Sequence, residues 1–336
     1  MGAVMGTELR IGILGASSIG GDAIVEPAKA TGHRLVAVAA RDRERAQVYA
    51  ERHGIERTAS TYADLVSDPE IDVVYNALPN GLHGPWNIEA VRAGKNVLTE
   101  KPFSSNADEA EKVVAEAAAA GVTVLEGIHY IFHPVNHRLF GLVRSGEIGA
   151  VTAIETEFRT PVPPPGDPRW ELALAGGSMM DLGCYGIHAA RMLADVYSGA
   201  PRVVGTRVEE YAPGVDSRFD ADLEYPSGVR ATVASTMLAD HLHFTFRVIG
   251  TEGEVLVHNF LRPHDDDRVS VKIGGTTTVE HLGTKSSYTF QLEALADHLA
   301  GVATLPIGPA DAVANMRMID EAYTHAGLGI RPTSFL

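Results

Sequence analysis

The stretch Val97-Leu98-Thr99-Glu100-Lys101-Pro102-Phe103 puts a lysine at the end of an apolar segment, directly before a proline. Proline fixes its own φ and pushes the preceding residue out of the helical region. Lys101 is therefore expected to be held extended at a strand end. Held there, its compact charge and three donors can bind a substrate hydroxyl or shift a neighbour's pKa. Further on, Gly176-Gly177-Ser178-Met179-Met180-Asp181-Leu182-Gly183-Cys184-Tyr185 opens a helix. On a regular helix Asp181, Tyr185 and His188 fall on one face. These residue types suit the interconversion of an alcohol and a ketone. The hydride of that reaction belongs to a nicotinamide cofactor. The proton needs a side chain within hydrogen-bond reach. Tyrosine, with an ordinary pKa near ~10, is a poor base at neutral pH. An adjacent lysine cation would favour its phenolate. One assignment makes Tyr185 the acid/base with Lys101 tuning it; the reverse makes Lys101 the donor. Asp181 can orient a substrate hydroxyl, hold Lys101, or cap its own helix.

The elements before Lys101 read as a cofactor platform. Arg10 to Leu14 is an apolar strand, followed by Gly15-Ala16-Ser17-Ser18-Ile19-Gly20, a helix to about Thr31 and a second strand from Leu35 to Ala40. This is the opening of a dinucleotide-binding βαβ unit, whose small turn residues let the backbone approach a pyrophosphate. The middle glycine of the usual pattern is Ser17 here. After the second strand an NAD site places an acid for the ribose 2′-hydroxyl. This chain has Ala39-Ala40-Arg41-Asp42 instead. A guanidinium suits a 2′-phosphate, so NADP(H) is the preferred cofactor, with Asp42 leaving NAD(H) open. Arg41 as a plain solvated charge is the alternative. Ile71 to Ala77 reads as a buried parallel strand, and Leu78-Pro79-Asn80-Gly81-Leu82-His83 is the loop at its carboxyl end, where such sheets bind ligands. Helices follow at Glu89 to Ala93 and Asp108 to Gly121, with strands at Asn96 to Thr99 and Val122 to Glu126. The candidate cofactor contacts are Gly15, Ala16, Ser17, Ser18, Ile19, Arg41, Leu78, Pro79, Asn80, His83, Glu100 and Lys101.

The second half reads differently. Val151 to Phe158, Phe219 to Tyr225, Val229 to Ala234, Phe244 to Ile249 and Val255 to His258 alternate or are β-branched, with turns between, which is an antiparallel sheet. Thr236, His241 and His243 on it can line a pocket or face a partner. Ser287 to Ala300 and Pro309 to Ala326 close the chain as helices. Thr160 to Trp170 holds five prolines and reads as a stiff loop. Arg169 and Trp170 are candidates for a substrate wall, since a ring can stack on a sugar face; a plain surface loop is the alternative. His129, His133 and His137 recur every four residues, but Pro134 interrupts the turn and no carboxylate completes a ligand set, so no metal is expected. Tyr130 or His129 can reach substrate instead. Pro263 to Asp267 reads as a solvated turn, and Cys184 as packing.

Composition bounds the class. The chain has 336 residues, 45% hydrophobic and 21% charged, with formal net charge −15. That charge disfavours nucleic acid and anionic membranes. No apolar run reaches the ~20 residues of a membrane span. Met1 to Arg10 lacks the features of a secretory signal, and the single cysteine fits a reducing cytoplasm.

Several stretches together resemble the glucose-fructose oxidoreductase / inositol dehydrogenase / MocA-type (Gfo/Idh/MocA) family of pyridine-nucleotide oxidoreductases. They are Ile11 to Ala16, Ile71 to Asn80 with His83, Ala93 to Pro102, Phe132-His133-Pro134, Gly177 to Tyr185, and Gly250-Thr251-Glu252-Gly253. Many inositol-dehydrogenase-like members have Asp and His where this chain has Asp181 and Tyr185. The Asp–Tyr pair resembles the branch of dihydrodiol dehydrogenases, xylose dehydrogenases and ketosugar reductases. Ile131 stands where the family usually shows an arginine. The resemblance implies an α/β N-terminal Rossmann domain over residues 8–126. It implies an α+β C-terminal domain over 127–336 with a large open, mostly antiparallel sheet, whose last helix can pack back on the first domain. It further implies that Lys101 sits beside nicotinamide and substrate, and that the sheet joins a homodimer or homotetramer. The expected reaction is oxidation of a secondary alcohol, or its reverse, on a sugar, sugar derivative or cyclic polyol. A trans-dihydrodiol, an aldopyranose oxidised at C1, or a nicotinamide-binding sensor are the alternatives. Substrate contacts would come from Lys101, Tyr130, Arg169, Trp170, Asp181 and Tyr185.

Overall fold

The computed structural model describes residues 8–334. They fall into two compact units, one built from the chain up to Gly127 with Tyr288–Val313, the other from Ile128–Ser287 and Ala314–Thr333.

The first unit is a six-stranded parallel sheet in the order β3-β2-β1-β4-β5-β6. Its strands are β1 (Arg10–Leu14), β2 (Arg34–Ala39), β3 (Arg57–Thr58), β4 (Val73–Asn76), β5 (Asn96–Thr99) and β6 (Val124–Glu126). Strands β4 and β5 are buried along almost their whole length, as expected of a parallel sheet covered on both faces. The strand order reverses between β1 and β4, and ligands of such sheets bind at that switch point, outside the carboxyl ends. The connecting helices are α1 (Glu26–Thr31), α2 (Arg43–His53), α3 (Tyr62–Val66), α4 (His83–Arg92) and α5 (Ala107–Ala120). The segment expected to be one helix up to Thr31 begins with a π turn, Gly21–Val25.

The second unit carries an eight-stranded sheet in the order β14-β13-β12-β11-β7-β10-β9-β8. The strands are β7 (Val151–Pro161), β8 (Arg202–Ala212), β9 (Val215–Glu224), β10 (Arg230–Ala239), β11 (His243–Gly250), β12 (Gly253–Val257), β13 (Arg268–Ile273) and β14 (Thr276–His281). Only the β7–β10 pair is parallel. Helices α6 (Pro134–Ser145) and α7 (Cys184–Arg191) pack on one face. The other face shows charged pairs such as Arg247 with Glu155 and Glu254, and Arg207 with Asp222. Helices α8 (Ser287–Leu299) and α9 (Pro309–His325) end the chain. Among the described residues no helix is long and apolar enough to cross a membrane.

A buried ion pair fixes the start of the segment that carries Asp181 and Tyr185. Asp216 of β9 accepts from Met179 N–H (2.7 Å), Tyr323 Oη–H (2.9 Å) and Arg331 Nη2 (2.8 Å). Both charged side chains are fully buried. Burial pushes the Asp216 carboxyl upward, and Arg331 and the other donors oppose it. Gly177, at φ 129°, lies so close that an added Cβ would meet Asp216 Oδ1 at 2.1 Å, so only glycine fits. Removing one partner of a buried pair leaves an uncompensated charge, a loss of about 3–5 kcal/mol. Asp216→Ala should lower unfolding free energy in urea by about that much; a change below about 1 kcal/mol would show that Arg331 finds water instead.

Candidate active site

In the first unit the residues at the switch point form a cradle. Gly15 follows β1 at φ 95°, and a Cβ there would meet the Ala77 carbonyl oxygen at 2.9 Å. The turn therefore keeps its backbone bare, as close approach of a pyrophosphate demands. Ser17 Oγ accepts from Gly20 N–H (3.3 Å), so it stiffens its own turn. Ser18 is exposed and Ile19 half-buried. Arg41 is exposed just beyond β2, and Asp42 caps α2 by accepting from Arg45 N–H (3.1 Å). Arg45 then reaches back to the Ala16 carbonyl oxygen (2.7 Å). It is a second guanidinium at the turn, one the sequence pattern did not single out. These residues fit a dinucleotide: a bare turn for the pyrophosphate with the Arg45 guanidinium on it, and Arg41 exposed just beyond β2.

Lys101 sits in a bend two residues beyond β5, half-buried, rather than extended on the strand. The Lys101–Pro102 peptide is cis. Hydrogen bonds to the backbone on either side of Lys101 hold it in place. Glu100 N–H donates to the Asn76 carbonyl oxygen (2.8 Å), and Phe103 N–H to Glu126 Oε1 (2.8 Å). The Pro102 carbonyl oxygen meets His83 Nδ1 at 2.7 Å. His83 Nε2 meets the Leu78 carbonyl oxygen at 2.7 Å, so one buried ring ties the Leu78-Pro79-Asn80 loop to the lysine loop. Both carbonyls favour the charged ring, yet burial outweighs them and pulls His83 down to about 4. Glu100 accepts from the buried Tyr75 hydroxyl (2.8 Å), an anchoring role beside the lysine.

In the second unit the helix expected to align Asp181, Tyr185 and His188 begins as a π turn, Met179–Gly183, and becomes α-helical at Cys184. The i→i+5 turn breaks the phase that a regular helix would keep. Tyr185 and His188 are buried, and Asp181 stays partly exposed. A short 3-10 helix, His129–Phe132, lies against α7 and pairs with it twice. His129 Nε2 is 3.1 Å from Tyr185 Oη, and Tyr130 Oη is 2.7 Å from His188 Nδ1. Tyr130 is fully buried, so it shapes the site from behind rather than presenting a surface. Asp181 faces Arg169, whose Nη1 lies 3.8 Å away. Arg169 donates to Asp167 through Nε (2.8 Å) and Nη2 (2.9 Å), which holds the Asp167 carboxyl below its usual range.

Trp170 is not an open stacking platform. Its indole N–H donates to the Pro163 carbonyl oxygen (3.1 Å), and its face stacks on Tyr211 at 4.2 Å. The exposed ring at this position is Tyr211, which local sequence gave no reason to pick. The proline loop is also shorter than expected, since β7 runs to Pro161 and a 3-10 turn spans Pro168–Trp170. The three periodic histidines have separate partners: His129 with Tyr185, His133 Nε2 with the Lys285 carbonyl oxygen, and His137 Nε2 with that of Ile131. Among the described residues no cluster of three or more His, Cys, Asp or Glu is placed to hold a metal ion. Asp265, Asp266 and Asp267 pair with Arg262, Arg268 and His281. Thr236 lines a cleft of about 330 Å³ on the open sheet face with Glu157, Arg159, Arg218 and Asp220. Cys184 is buried.

Residues 9–128 match the oxidoreductase family with an NAD-binding Rossmann fold, and residues 137–256 match the GFO/IDH/MocA C-terminal domain. The chain is 35% identical over 325 residues to D-xylose 1-dehydrogenase (NADP(+)) 2 of Haloferax volcanii, covering 96% of this chain and 98% of that one. It is 33% identical over 254 residues to trans-1,2-dihydrobenzene-1,2-diol dehydrogenase of Xenopus laevis, covering 74% and 75%. A 3-ketoreductase from Actinomadura kijaniata, solved with NADP and TDP-benzene, superposes with TM-score 0.86 at 25% identity, covering 95% and 98%. The chain belongs to the Gfo/Idh/MocA family of NAD(P)-dependent oxidoreductases.

His133 gives this region a pH signature. Its Nδ1 accepts from Val135 N–H (3.2 Å), capping α6, so the ring works as the neutral form with its proton on Nε2. Burial pulls its pKa from 6.5 down to about 4. Between those values the unfolded chain binds more protons, so stability falls as pH drops through that window. Resistance to urea should weaken as the pH falls from about 7 to about 5, and His133→Asn, which keeps a capping acceptor, should flatten that slope. Equal slopes would mean that other groups carry the dependence.

Proposed function

We propose that this oxidoreductase interconverts a secondary alcohol and a ketone or lactone on a sugar, sugar derivative or cyclic polyol, with NADP(H) preferred over NAD(H). The observation that carries the reading is the backbone clamp on Lys101. Hydrogen bonds on both sides fix a half-buried lysine at the carboxyl end of a parallel sheet. A protein that only sensed nicotinamide would have no use for a proton-handling group held so firmly. Gly15, Ala16, Ser17, Ser18 and Ile19 would hold the pyrophosphate, Arg41 the 2′-phosphate with Arg45 beside the turn, and Leu78, Pro79, Asn80, His83, Glu100 and Lys101 the nicotinamide end. A bound oxidised nicotinamide supplies the hydride acceptor. Tyr185 moves the hydroxyl proton, Lys101 binds the reacting oxygen and favours the tyrosinate, and Asp181, positioned by Arg169, orients a neighbouring hydroxyl. Substrate class rests on the xylose dehydrogenase and the ketoreductase, and cofactor preference on Arg41 and the NADP of both names.

The xylose relative covers nearly the whole chain, which favours oxidation of an aldopyranose at C1 as the second reading. The dihydrodiol relatives make a trans-dihydrodiol its competitor. The open sheet face, with its charged pairs and cleft, is the surface we assign to a homodimer or homotetramer. The single buried cysteine suits a cytoplasmic setting.

Reduced-nicotinamide absorbance should rise with NADP⁺ and one class among pyranoses, inositols, anhydrosugars and dihydrodiols, and fall with NADPH and a ketosugar. Lys101→Ala should abolish turnover with NADPH binding kept within a few-fold. Tyr185→Phe should lower kcat on the order of 10²-fold or more. Near-normal rates in both variants would remove the assignment. In Arg41→Ala the discrimination between NADPH and NADH should shrink; unchanged discrimination would mean that another group reads the phosphate.

A further inference from the structure

Tyrosine as a base poses a problem that Lys101 solves only by making a phenolate. The structure offers Tyr185 a second route. Tyr185 Oη is 3.1 Å from His129 Nε2, and the opposite ring nitrogen, Nδ1, is 2.8 Å from Ser287 Oγ. Ser287 Oγ–H points on to the Leu261 carbonyl oxygen at 3.4 Å. All four groups belong to the second unit and are buried. The direction of the chain follows from its far end. A carbonyl can only accept, so the Ser287 proton belongs to Leu261. Ser287 then accepts from His129 Nδ1–H, which leaves Nε2 as an acceptor. An accepting Nε2 takes the Tyr185 hydroxyl proton as its donor.

We propose that His129 is the proton acceptor behind Tyr185, set in the Nδ1–H form by Ser287, so that Tyr185 relays a proton and need not become a stable phenolate. In alcohol oxidation the substrate O–H bond breaks and its proton joins Tyr185 Oη. The original Tyr185 O–H proton moves to His129 Nε2, and imidazole becomes imidazolium. The electron pair of the substrate C–H bond leaves as hydride to the oxidised nicotinamide dinucleotide, and the carbon becomes a carbonyl. Reduction runs the same transfers backward. Imidazole takes a proton far more readily than phenol, whose ordinary pKa is ~10; burial works against the imidazolium, and Ser287 Oγ, accepting from Nδ1–H, offsets part of that cost. The imidazolium formed in this buried place keeps its Nδ1–H bond to Ser287. The neighbouring Tyr130–His188 pair holds the 3-10 helix against α7, which keeps His129 aimed at Tyr185. The sequence hides this link, because His129 and Ser287 are 158 residues apart and His129 and Tyr185 are 56 apart.

The relay rests on the reading of Tyr185 as the proton-transfer group, and the test separates the two. Nitrogen-15 NMR of the histidine rings in the cofactor-free protein, with His129 assigned by its loss in His129→Gln, should show Nδ1 protonated and Nε2 bare. A protonated Nε2 would overturn the relay, because His129 would then donate to Tyr185 and have no room for its proton. His129→Gln keeps a hydrogen-bonding amide but cannot take a proton. Its kcat should fall on the order of 10²-fold, with KM and dinucleotide affinity within a few-fold of the parent. Ser287→Ala should shift the ring toward the Nε2–H form and lower kcat less than His129→Gln does. If His129→Gln turns over normally while Tyr185→Phe is inactive, the relay falls and the function stands. If Tyr185→Phe is itself near normal, both fall.

Discussion

The second unit depends on one buried carboxylate. Asp216 collects three donors from three parts of the chain: the backbone at Met179, the Tyr323 hydroxyl of α9 and the Arg331 guanidinium. A lone ionised carboxylate would be costly in that place, since burial disfavours charge. Together the donors make it a joint between the sheet, the last helix and the segment that carries Asp181 and Tyr185. The Arg331 guanidinium lies 3.6 Å above the Tyr323 ring, so the cation is covered as well as paired. Because Met179 is the first residue of the π turn, the joint sets where Tyr185 begins its helix. The Tyr–His pairs can only form once that start is fixed.

Lys101 is governed by a different kind of constraint. Its loop is held by backbone groups, by one buried imidazole and by the Glu126 side-chain carboxylate. Contacts that hold its loop come from strand ends and from His83 at the start of α4. The position of the lysine thus follows from the register of the parallel sheet. Lys101 and the segment that carries Tyr185 are fixed by independent means, one by sheet register and one by a buried ion pair.

Much of this was legible in the sequence, and the remainder was not for definable reasons. Strands Arg10–Leu14 and Asn96–Thr99 start and stop where their apolar patterning places them, because a strand buried on both faces leaves an unbroken run. The helix at Pro134–Ser145 was obscured by reading Pro134 as an interruption. Proline at the first helical position, after a capping His133, starts a helix instead. Strands β8 and β14 lie at the sheet edges and bury few residues, so no alternation marks them. The π turn at Met179 follows from Asp216 and Gly177, not from local propensity. Arg45, Tyr211 and Ser287 act across long gaps in sequence, and spacing carries no trace of such contacts. Trp170 reads in the sequence as a wall for a sugar face, but Tyr211 covers that face.

The first unit is not a continuous piece of chain. Its last part, Tyr288–Val313, follows the whole eight-stranded sheet in sequence. Within that unit Gln291 Nε2 donates to the buried Glu126 carbonyl oxygen (3.3 Å), at the strand next to the Lys101 loop. During synthesis the parallel sheet emerges long before the helix that completes it. Residues Tyr288–Val313 thus become available to that unit only after the whole eight-stranded sheet has been synthesised. A chain halted between Gly127 and Tyr288 would hold the parallel sheet without the segment that completes its unit.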